Sequence, residues 1–402
     1  MTNRTAAIRI IKRLRKAGYE ALLAGGCVRD MLLNRPAKDY DVATDARPDE
    51  IVKLFRRTLK VGAKFGVIMV IDGGKQTEVA TFRTESGYTD GRHPQQVAFC
   101  SPRQDAGRRD FTINGMFYDP LERKVIDYVK GLGDLRKGLV RAIGDAQKRF
   151  SEDYLRLLRA VRFATQLGFT IEPKTWSAVC SKARNITKIS AERIAMELEM
   201  ILTHPGRRDG ASMLLDSGLT GAIFAGVGAK EARFGIEVLG RLRKKVDFPL
   251  ALASFFAAFG TKPAMAHARR LKPSRAHNRH LRFLLEGRGK LLESDMGLAQ
   301  LKLLLAEPYF SDLYEFQRAI QKARGEGIGP LLTVKKRARA LKGSKLTPRP
   351  LLDGHQLIAL GVQPGPMVGL VAQEMYIAQL AEELSTPDQA GRWVAQWLKQ
   401  HK

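Results

Sequence analysis

The sequence predicts an α+β protein, with a mixed α/β head at the N-terminus followed by all-α neck, body and tail domains. Apolar runs of strand length occur between residues 20 and 128, and glycine and proline separate them from short helical patterns. Strand patterns disappear beyond about residue 146, where helical patterns take over. The 402 residues are enough for two or more domains with a sizeable core.

The predicted head combines short strands with short helices. Its expected helices lie at 1–18, 28–34 and 47–55, and its expected strands lie at 20–24, 39–44, 64–71, 76–82 and 125–128. The largely apolar run 64–71 predicts a buried strand, and the alternating run 76–82 should pair with it. Residues 84–94 contain glycine, aspartate and proline without periodicity, which predicts a loop.

Helical patterns dominate the rest of the chain. A helix is expected at 151–167, with Ser151 as its N-cap and Gly168 as its stop, and another at 190–203. Residues 335–345 carry six basic residues and no acid, which indicates either a solvated linker or an RNA contact. The predicted domains are a head, a neck, a body, and a basic linker with a helical tail, at 1–140, 141–206, 207–332 and 333–402.

The composition is globular but strongly basic, with 44% hydrophobic residues and a formal net charge of +27. This charge predicts a polyanionic partner, and nucleic acid is favoured over a membrane because no helix shows a lipid-facing aromatic edge. A charge that serves only solubility is the alternative. The sequence has neither a transmembrane run nor an apolar signal core, and three cysteines without metal-ligand spacing fit a reducing cytoplasm.

Two motifs near the N-terminus indicate phosphate and metal chemistry. Gly25 and Gly26 follow an apolar run and precede a helical pattern, and such a turn leaves backbone N–H groups for a phosphate. Asp39 and Asp41 are two residues apart in an extended segment, so their carboxylates share a face that would suit Mg²⁺. Each motif alone is usually a plain turn or a solvated edge. Together they suggest phosphoryl or nucleotidyl transfer from a nucleoside triphosphate.

Further charged residues extend this candidate site. Glu78 is an acid in the otherwise apolar strand 76–82, and it is interpreted as a third metal carboxylate, with a surface position as the alternative. Arg108, Arg109 and Asp110 follow the predicted loop. Guanidinium and carboxylate groups at a loop end can contact phosphates and a ribose hydroxyl.

Five motifs stand in one order along the chain: GGCVRD, DYD, EVATFR, RRDFTINGM and SEDYLRLLRAVRF. In this order they resemble class II CCA-adding enzymes, which are tRNA nucleotidyltransferases, and the related bacterial poly(A) polymerases. Both groups belong to the polymerase-β-like nucleotidyltransferase superfamily. The resemblance covers about residues 20–205, and the stretch 354–369 looks like the tail of the family.

The resemblance implies functional roles for these motifs. The glycine pair and Arg29 would hold the triphosphate, and Asp39, Asp41 and Glu78 would bind two Mg²⁺ ions. The ribose-recognising motif of the family is matched by Arg108, Arg109 and Asp110, and its base-selecting EDxxR motif by Glu152, Asp153 and Arg156. Supporting contacts are expected from Arg92, Asn114, Arg159 and Arg162, and RNA contacts from Lys335, Lys336, Arg337 and Arg339.

The EDxxR spacing has a chemical rationale of its own. Asp153 and Arg156 are three residues apart, which predicts that they share one helix face. A carboxylate accepts from the exocyclic amine of cytosine or adenine, and a guanidinium donates to the adjacent ring nitrogen. Uracil and guanine present the opposite pattern and would be rejected. The alternative is an ordinary surface salt bridge.

Two activities fit the motifs, and both proceed by attack of an RNA 3′-hydroxyl on the α-phosphate of a nucleoside triphosphate. Addition of CCA to tRNA from CTP and ATP is favoured by the tail and by the predicted loop 84–94, which enzymes that add only CC lack. Poly(A) synthesis is the alternative, and the high positive charge favours it. A third class is a non-catalytic RNA-binding descendant, which the intact carboxylates oppose.

Overall fold

The computed structural model describes residues 1–62, 65–87 and 96–401. The chain forms two compact units, one made of 1–232 with 267–272 and the other of 233–266 with 273–402. The first unit contains the β-sheet, and the second is built from helices. The predicted α+β class, a sheet-containing head with a helical remainder, is therefore confirmed. The finer division into head, neck, body and tail stays a prediction.

A mixed sheet of seven strands organises the first unit. The strands of the described chain are, in order, β1 (Ala21–Ala24), β2 (Asp41–Thr44), β3 (Thr58–Gly62), β4 (Val67–Asp72), β5 (Lys75–Thr81), β6 (Arg83–Ser86), β7 (Gln96–Phe99), β8 (Phe117–Asp119), β9 (Lys124–Ile126), β10 (Leu139–Val140) and β11 (Thr170–Ile171). The large sheet has the order β3-β4-β5-β2-β1-β8-β9. β2 and β5 run parallel, and their register pairs Val42 with Val79. The preceding residues, Asp41 and Glu78, therefore emerge side by side.

All five predicted strands of the head are present, as β1, β2, β4, β5 and β9. β4 and β5 pair antiparallel, as expected. Residues 63 and 64, at the beginning of the predicted strand 64–71, lie outside the described residues. β3 and β8 were not predicted.

The prediction of a loop at 84–94 is wrong for its first residues, which belong to strand β6. β6 and β7 form an antiparallel hairpin, with Arg83 opposite Phe99. β7 is largely exposed, so its sequence shows no apolar face that could indicate a strand. Residues 88–95, which include the candidate Arg92, lie outside the described residues.

Helices surround the sheet and make up the second unit. They are, in chain order, α1 (Asn3–Lys16), α2 (Gly26–Leu32), α3 (Pro48–Leu54), α4 (Pro102–Arg108), α5 (Gly131–Lys137), α6 (Ala146–Glu152), α7 (Leu155–Leu167), α8 (Pro173–Lys182), α9 (Ala191–Leu202), α10 (Arg207–Asp216), α11 (Leu219–Ile223), α12 (Ala229–Arg241), α13 (Phe248–Phe255), α14 (Thr261–Arg269), α15 (Arg275–Gly287), α16 (Leu298–Ala306), α17 (Phe310–Arg324), α18 (Gly329–Ala340), α19 (Gly354–Ala359), α20 (Pro366–Leu380) and α21 (Pro387–Gln400). Within the described ranges, no helix combines the length and hydropathy needed to cross a bilayer.

Apolar packing fixes the elements that carry the candidate site. α1 packs through its buried face on β1, β2 and β5. A separate core cluster joins the sheet to α4 and includes Leu22, Phe82, Ala106 and Phe117. The rings of Phe82 and Phe117 meet edge to face, with centroids 5.7 Å apart. The sheet and α4 therefore form one rigid support.

The predicted single helix at 151–167 is wrong at its beginning. α6 ends at Glu152 and α7 begins at Leu155, and Asp153 between them is extended, with φ −145° and ψ 106°. Ser151 is not an N-cap, because its hydroxyl donates to the carbonyl of Gln147 inside α6. Asp145 caps α6 instead. The predicted stop is confirmed, since Gly168 ends α7 in the left-handed conformation at φ 71°.

Two further expectations need correction. The strand pattern does not end at residue 146, because β11 pairs in parallel with β10. A two-residue strand is too short to detect in the sequence. The basic run 335–345 is not simply a linker, since α18 continues to Ala340. Its alanines and leucine are good helix formers, and the absence of proline between residues 331 and 347 allows the helix to extend.

Candidate active site

One cavity of about 530 Å³ brings most of the predicted residues together. Its walls come from the end of β1, the beginning of α2, β2, β5, the end of α4 and α7. Eight arginines and four acids line it, namely Arg29, Arg83, Arg108, Arg109, Arg156, Arg159, Arg162, Arg193, Asp41, Glu78, Asp110 and Asp153. The positive excess suits a polyphosphate ligand, and the volume suits a nucleotide.

The glycine turn forms one wall of the cavity. Gly25 has φ 73° and caps α2, as the sequence predicts for a strand–turn–helix. A Cβ atom at Gly25 would lie 3.0 Å from Nη1 of Arg109, so a larger residue would push this guanidinium. Arg29 is buried, and its Nη1 donates to Oδ1 of Asn114 at 2.6 Å. The predicted phosphate residues and Asn114 are thus neighbours in the structure.

Two of the three predicted metal carboxylates line the cavity. These are Asp41 and Glu78, while Asp39 precedes β2 and does not line the cavity; all three residues are exposed to solvent. Among the described residues, these three carboxylates do not bring ligand oxygens within 4.8 Å of one another. Desolvation, followed by repulsion from Glu78 and Asp39, raises the pKa of Asp41 to about 6. A cation between these groups would relieve that repulsion.

The two arginines after the hairpin are held by acids that the sequence analysis did not select. Asp105, only 1% exposed, bonds to Arg108 at 2.7 Å and to Arg109 at 2.9 Å. Arg108 also contacts Glu85 of β6 at 3.0 Å. Burial opposes ionisation of Asp105, but the two guanidinium groups lower its pKa overall. The spacing DxxRR within α4 contains this signal, because residues three and four apart are neighbours on a helix.

Asp110 is buried and links the sheet-bearing segment to α7. Nε and Nη2 of Arg159 donate to its Oδ2 at 2.8 and 2.6 Å. Its Oδ1 accepts from the backbone N–H of Phe111 and from Asn114. Burial alone would raise the pKa of Asp110, but Arg159 and the hydrogen bonds hold it at about 2. Four donors occupy this carboxylate, so a ribose hydroxyl would have to replace one of them.

Glu152 and Arg156 form an ion pair across the break between α6 and α7. Nη1 of Arg156 donates to Oε2 of Glu152 and to the carbonyl of Arg149, both at 2.8 Å, and its Nη2 donates to the carbonyl of Arg108. Within the described chain, Nε–H and the second Nη2–H of Arg156 have no protein partner, and Arg156 lines the cavity. Glu152 therefore positions Arg156.

The predicted shared helix face of Asp153 and Arg156 is wrong, because Asp153 lies in the break. Its Oδ1 accepts from the N–H of Leu155 at 3.0 Å, and its Oδ2 pairs with Arg193 of α9 at 3.2 Å. Both side chains still line the cavity. They meet there because the chain changes direction at residue 153, rather than through helical spacing.

Arg149 and Arg193 are the functional candidates that sequence reasoning missed. Arg149 donates to the carbonyls of Gly107, Arg108 and Ile143 and to Glu152. Its partners are up to 42 positions away, so no local spacing indicates the role. Arg162, predicted as a supporting residue, pairs with buried Glu197 of α9 at 3.2 Å.

The predicted RNA-binding residues lie on or near α18, outside this cavity. Lys335, Lys336 and Arg339 are exposed. Arg337 is half-buried, and its Nη1 donates to the carbonyl of Met296 at 2.7 Å. The four residues thus differ in how freely they could contact a polyanion.

Comparison with known proteins tests these expectations. The family described as "Poly A polymerase head domain" matches residues 21–141, and "Probable RNA and SrmB-binding site of polymerase A" matches 168–229. The chain is 46% identical over 228 residues to a CCA-adding enzyme of Lactobacillus johnsonii, a match that spans 56% of this chain and 57% of that protein. It is 36% identical over 391 residues to the CCA-adding enzyme of Lactobacillus gasseri, which covers 96% of this chain and 95% of the relative.

The chain belongs to the CCA-adding enzyme family. Its structure resembles that of the Bacillus stearothermophilus CCA-adding enzyme in complex with CTP, with a TM-score of 0.81 and 27% identity. That likeness covers 100% of this chain and 99% of the other. The predicted membership of class II is confirmed, and the protein is a nucleotidyltransferase. CCA-adding enzymes and their nucleotidyltransferase relatives generally use a divalent metal, which agrees with the carboxylates of the cavity.

Proposed function

We propose that the protein adds C, C and A to the 3′ end of tRNA, using CTP and ATP and releasing pyrophosphate. The observation that carries this proposal is that one cavity joins Asp41 and Glu78 to Asp153 and Arg156. The first pair suits metal-assisted phosphoryl transfer, and the second suits selection of cytosine and adenine. The full-length similarity to a CCA-adding enzyme supports this activity over poly(A) synthesis.

The proposed cofactor is Mg²⁺, with two ions held by Asp41 and Glu78 and approached by Asp39. The chemistry of these donors fits, since all are hard carboxylate oxygens. Desolvation, and after it the negative charge of Glu78 and Asp39, raises the pKa of Asp41, which supports a place for a cation. When bound, such ions increase the acidity of a hydroxyl and neutralise charge on phosphate oxygens. The proposed place of action is the cytoplasm, where three unpaired cysteines would stay reduced.

The protein residues would bind and orient the nucleotide. Arg109 stands at the glycine turn and Arg108 lines the same cavity, so their charge can hold the triphosphate in line with the RNA 3′-hydroxyl. Arg156 would donate to the unprotonated ring nitrogen of C or A, while Asp153 accepts from the exocyclic amine. Because Glu152 and Arg193 hold these two side chains in advance, little reorganisation is needed when the base arrives.

A primer-extension assay tests the function. Purified protein is incubated with Mg²⁺ and either tRNA lacking its 3′ end or an unrelated RNA, with CTP and ATP separately and together. We expect extension of the tRNA by three nucleotides when both are present, and by two with CTP alone. A long ladder from ATP alone on any RNA would instead identify poly(A) synthesis. Extension that stops after two nucleotides with both triphosphates would identify a CC-adding enzyme.

A further inference from the structure

A cluster of metal-ligand residue types lies within the second unit and shares no residue with the candidate active site. It consists of Asp247, His280 and Asp312, whose ligand atoms lie within 4.8 Å of one another. Asp247 caps α13, His280 lies in α15, and Asp312 lies in the first turn of α17. These three helices pack on each other, so the cluster belongs to the framework of the unit.

The imidazole of His280 is buried and fixed in orientation. Only 5% of the residue is exposed, and its ring stacks on Tyr309 with centroids 4.0 Å and planes 12° apart. Nε2 lies 3.3 Å from Oδ2 of Asp312, but the angles are not those of a hydrogen bond. In the described part of the chain this buried nitrogen has no hydrogen-bond partner. Such an atom is costly unless another group satisfies it.

The separation of the two atoms matches a pair of metal ligands. In a tetrahedral zinc site, ligands about 2.1 Å from the ion lie about 3.4 Å from each other. The observed distance between Nε2 of His280 and Oδ2 of Asp312 is 3.3 Å. We propose that these two atoms bind a zinc-class divalent cation, with water completing its coordination. Imidazole with carboxylate suits zinc or cobalt better than Mg²⁺, which prefers oxygen ligands.

Asp247 fits the role of the carboxylate that orients a metal-bound histidine. Its Oδ2 lies 3.3 Å from Nδ1, whereas Oδ2 of Asp312 lies 3.3 Å from the other ring nitrogen, Nε2. A proton on Nδ1 facing this carboxylate leaves the lone pair of Nε2 directed toward the ion. The side chain of Asp247 is 49% exposed, so the cluster is open to ions from solvent.

The local charge also favours a cation. With a neutral imidazole, two carboxylates face one buried ring. Nη2 of Arg243 pairs with Oδ1 of Asp312, so Oδ2 remains directed at the ring and net negative charge persists. A protonated imidazole between the two aspartates is the competing arrangement. Burial opposes ionisation of Asp312, but its contacts with His280 and Arg243 lower its pKa overall, which this arrangement would also produce. The absence of a hydrogen bond to Nε2 among the described residues favours the cation instead.

Calorimetric titration with zinc tests the site. The full-length protein is stripped of metal and titrated in millimolar Mg²⁺, which occupies the hard oxygen site of the cavity. We expect wild type to bind zinc, and we expect His280→Gln and Asp312→Asn each to lose one equivalent. His277→Gln, three residues earlier on the same helix, is the matched control and should keep it. Absence of zinc binding by wild type, or unchanged stoichiometry in His280→Gln, overturns the proposal.

Two further measurements keep the test decisive if His280→Gln fails to fold. Asp247→Asn removes only the orienting carboxylate, so zinc affinity should fall about ten- to a hundredfold. Unchanged affinity in this variant would contradict the assignment. Cobalt should give the visible absorption of a four-coordinate ion in wild type and in His277→Gln. A protonated-histidine arrangement would give no such band, and that result also rejects a metal site.

Discussion

The two sides of the catalytic cavity are built in opposite ways. On one side, Asp41 and Glu78 stand together without an opposing ion pair between them, and the pKa of Asp41 is raised to about 6. On the other side, Glu152 and Arg156 are paired, and Arg193 holds Asp153. Arg109 offsets the negative charge of the carboxylate side only in part, whereas the arginine side is closed into a hydrogen-bonded network.

This difference separates what the ligand must supply from what the protein supplies. Under the proposed function, cations would complete the carboxylate side, so nucleotide affinity there would depend on the cation concentration. The arginine side is arranged before any base is bound, and pre-arranged donors discriminate between bases without reorganisation. Variants on the two sides should therefore have different effects. Variants on the carboxylate side should lose nucleotide incorporation, and variants on the arginine side should lose selectivity between bases.

The largest expected effect is on the carboxylate side. Asp41→Ala should abolish incorporation of both CTP and ATP, because loss of a metal carboxylate removes activation of the attacking hydroxyl. Asp39→Ala tests the same assignment, and a smaller loss would fit its position ahead of β2, outside the cavity lining. The control is Asp49→Ala, an exposed acid in the first turn of α3. Near-normal turnover of Asp41→Ala at saturating Mg²⁺ would reject the metal assignment.

Next in size is the effect on base choice. Asp153→Ala and Arg156→Ala each remove one contact to the base edge, and a good bidentate contact discriminates by about 1–3 kcal/mol. Rejection of UTP and GTP should therefore fall by about ten- to a hundredfold. Incorporation of all four nucleotides by each variant measures this ratio. If selectivity stays at the wild-type value while only stability falls, the pair is structural and does not select the base.

Arg149→Met should weaken the arginine side without touching the nucleotide. The variant leaves three carbonyls and Glu152 without this donor, which should cost about 2–3 kcal/mol in unfolding free energy. Because Glu152 then holds Arg156 less firmly, discrimination against UTP should also fall, though less than in Arg156→Ala. Lys148→Met, an exposed neighbour, is the control. A loss of stability with unchanged discrimination would confine Arg149 to a structural role.

The unfolding free energy of the metal-free protein should depend on pH through the carboxylate side of the cavity. The pKa of Asp41 rises from 3.8 to about 6 on folding, so the folded state binds this proton more tightly than the unfolded state. Its contribution is fully present below about pH 4 and is lost as pH rises through 6. Thermal unfolding of wild type should thus weaken more between pH 5 and 7.5 than that of Asp41→Asn.

Saturating Mg²⁺ should reduce this difference between wild type and Asp41→Asn, because the cation replaces the proton as the neutralising charge. Asp295→Asn, an exposed acid in the second unit, should follow the wild-type curve and serves as the control. Parallel curves for wild type and Asp41→Asn would show that the carboxylates do not repel one another as described.

The smallest effect concerns RNA affinity outside the cavity. Each lysine that contacts an RNA phosphate contributes about 0.7–0.9 to the slope of log affinity against log salt. The double substitution Lys335→Ala/Lys336→Ala should therefore lower the slope by about 1.5, measured by fluorescence anisotropy with labelled tRNA. Arg337→Ala should change it less, because its guanidinium is already bonded to the carbonyl of Met296. An unchanged slope in the double variant would remove α18 from the RNA-binding surface.

The sequence was informative where a short segment determines its own geometry. The glycine turn, the β2 carboxylate and the alternation that exposes Glu78 all follow from local patterns, and the structure places them on one cavity. Parallel pairing of β2 with β5 then brings Asp41 beside Glu78. The resemblance to a family supplied the role of Asp153 and Arg156, which their spacing alone would have left as a surface salt bridge.

The arrangement of side chains on the arginine side could not be predicted, because it depends on partners that are distant in the sequence. Arg193 reaches Asp153 over 40 positions, and Arg149 reaches Gly107 over 42. The break at Asp153 was hidden by a sequence that reads as one continuous helix, and the extended residue is held by the N–H of Leu155 and by the distant Arg193. The intrinsic helix propensity of such a segment is a weak preference, so long-range hydrogen bonds can override it.

The break between α6 and α7 limits where a residue can be inserted and how the motif can be moved to another protein. Surface connections usually tolerate an added residue, but this one is fixed on both flanks, by the ion pair of Glu152 with Arg156 and by that of Asp153 with Arg193. A single inserted residue would separate Glu152 from Arg156 and, if α7 absorbed it, turn the following arginines by about 100°. A protein engineer who moves this recognition motif to another scaffold would therefore have to move both helix ends with α9 behind them.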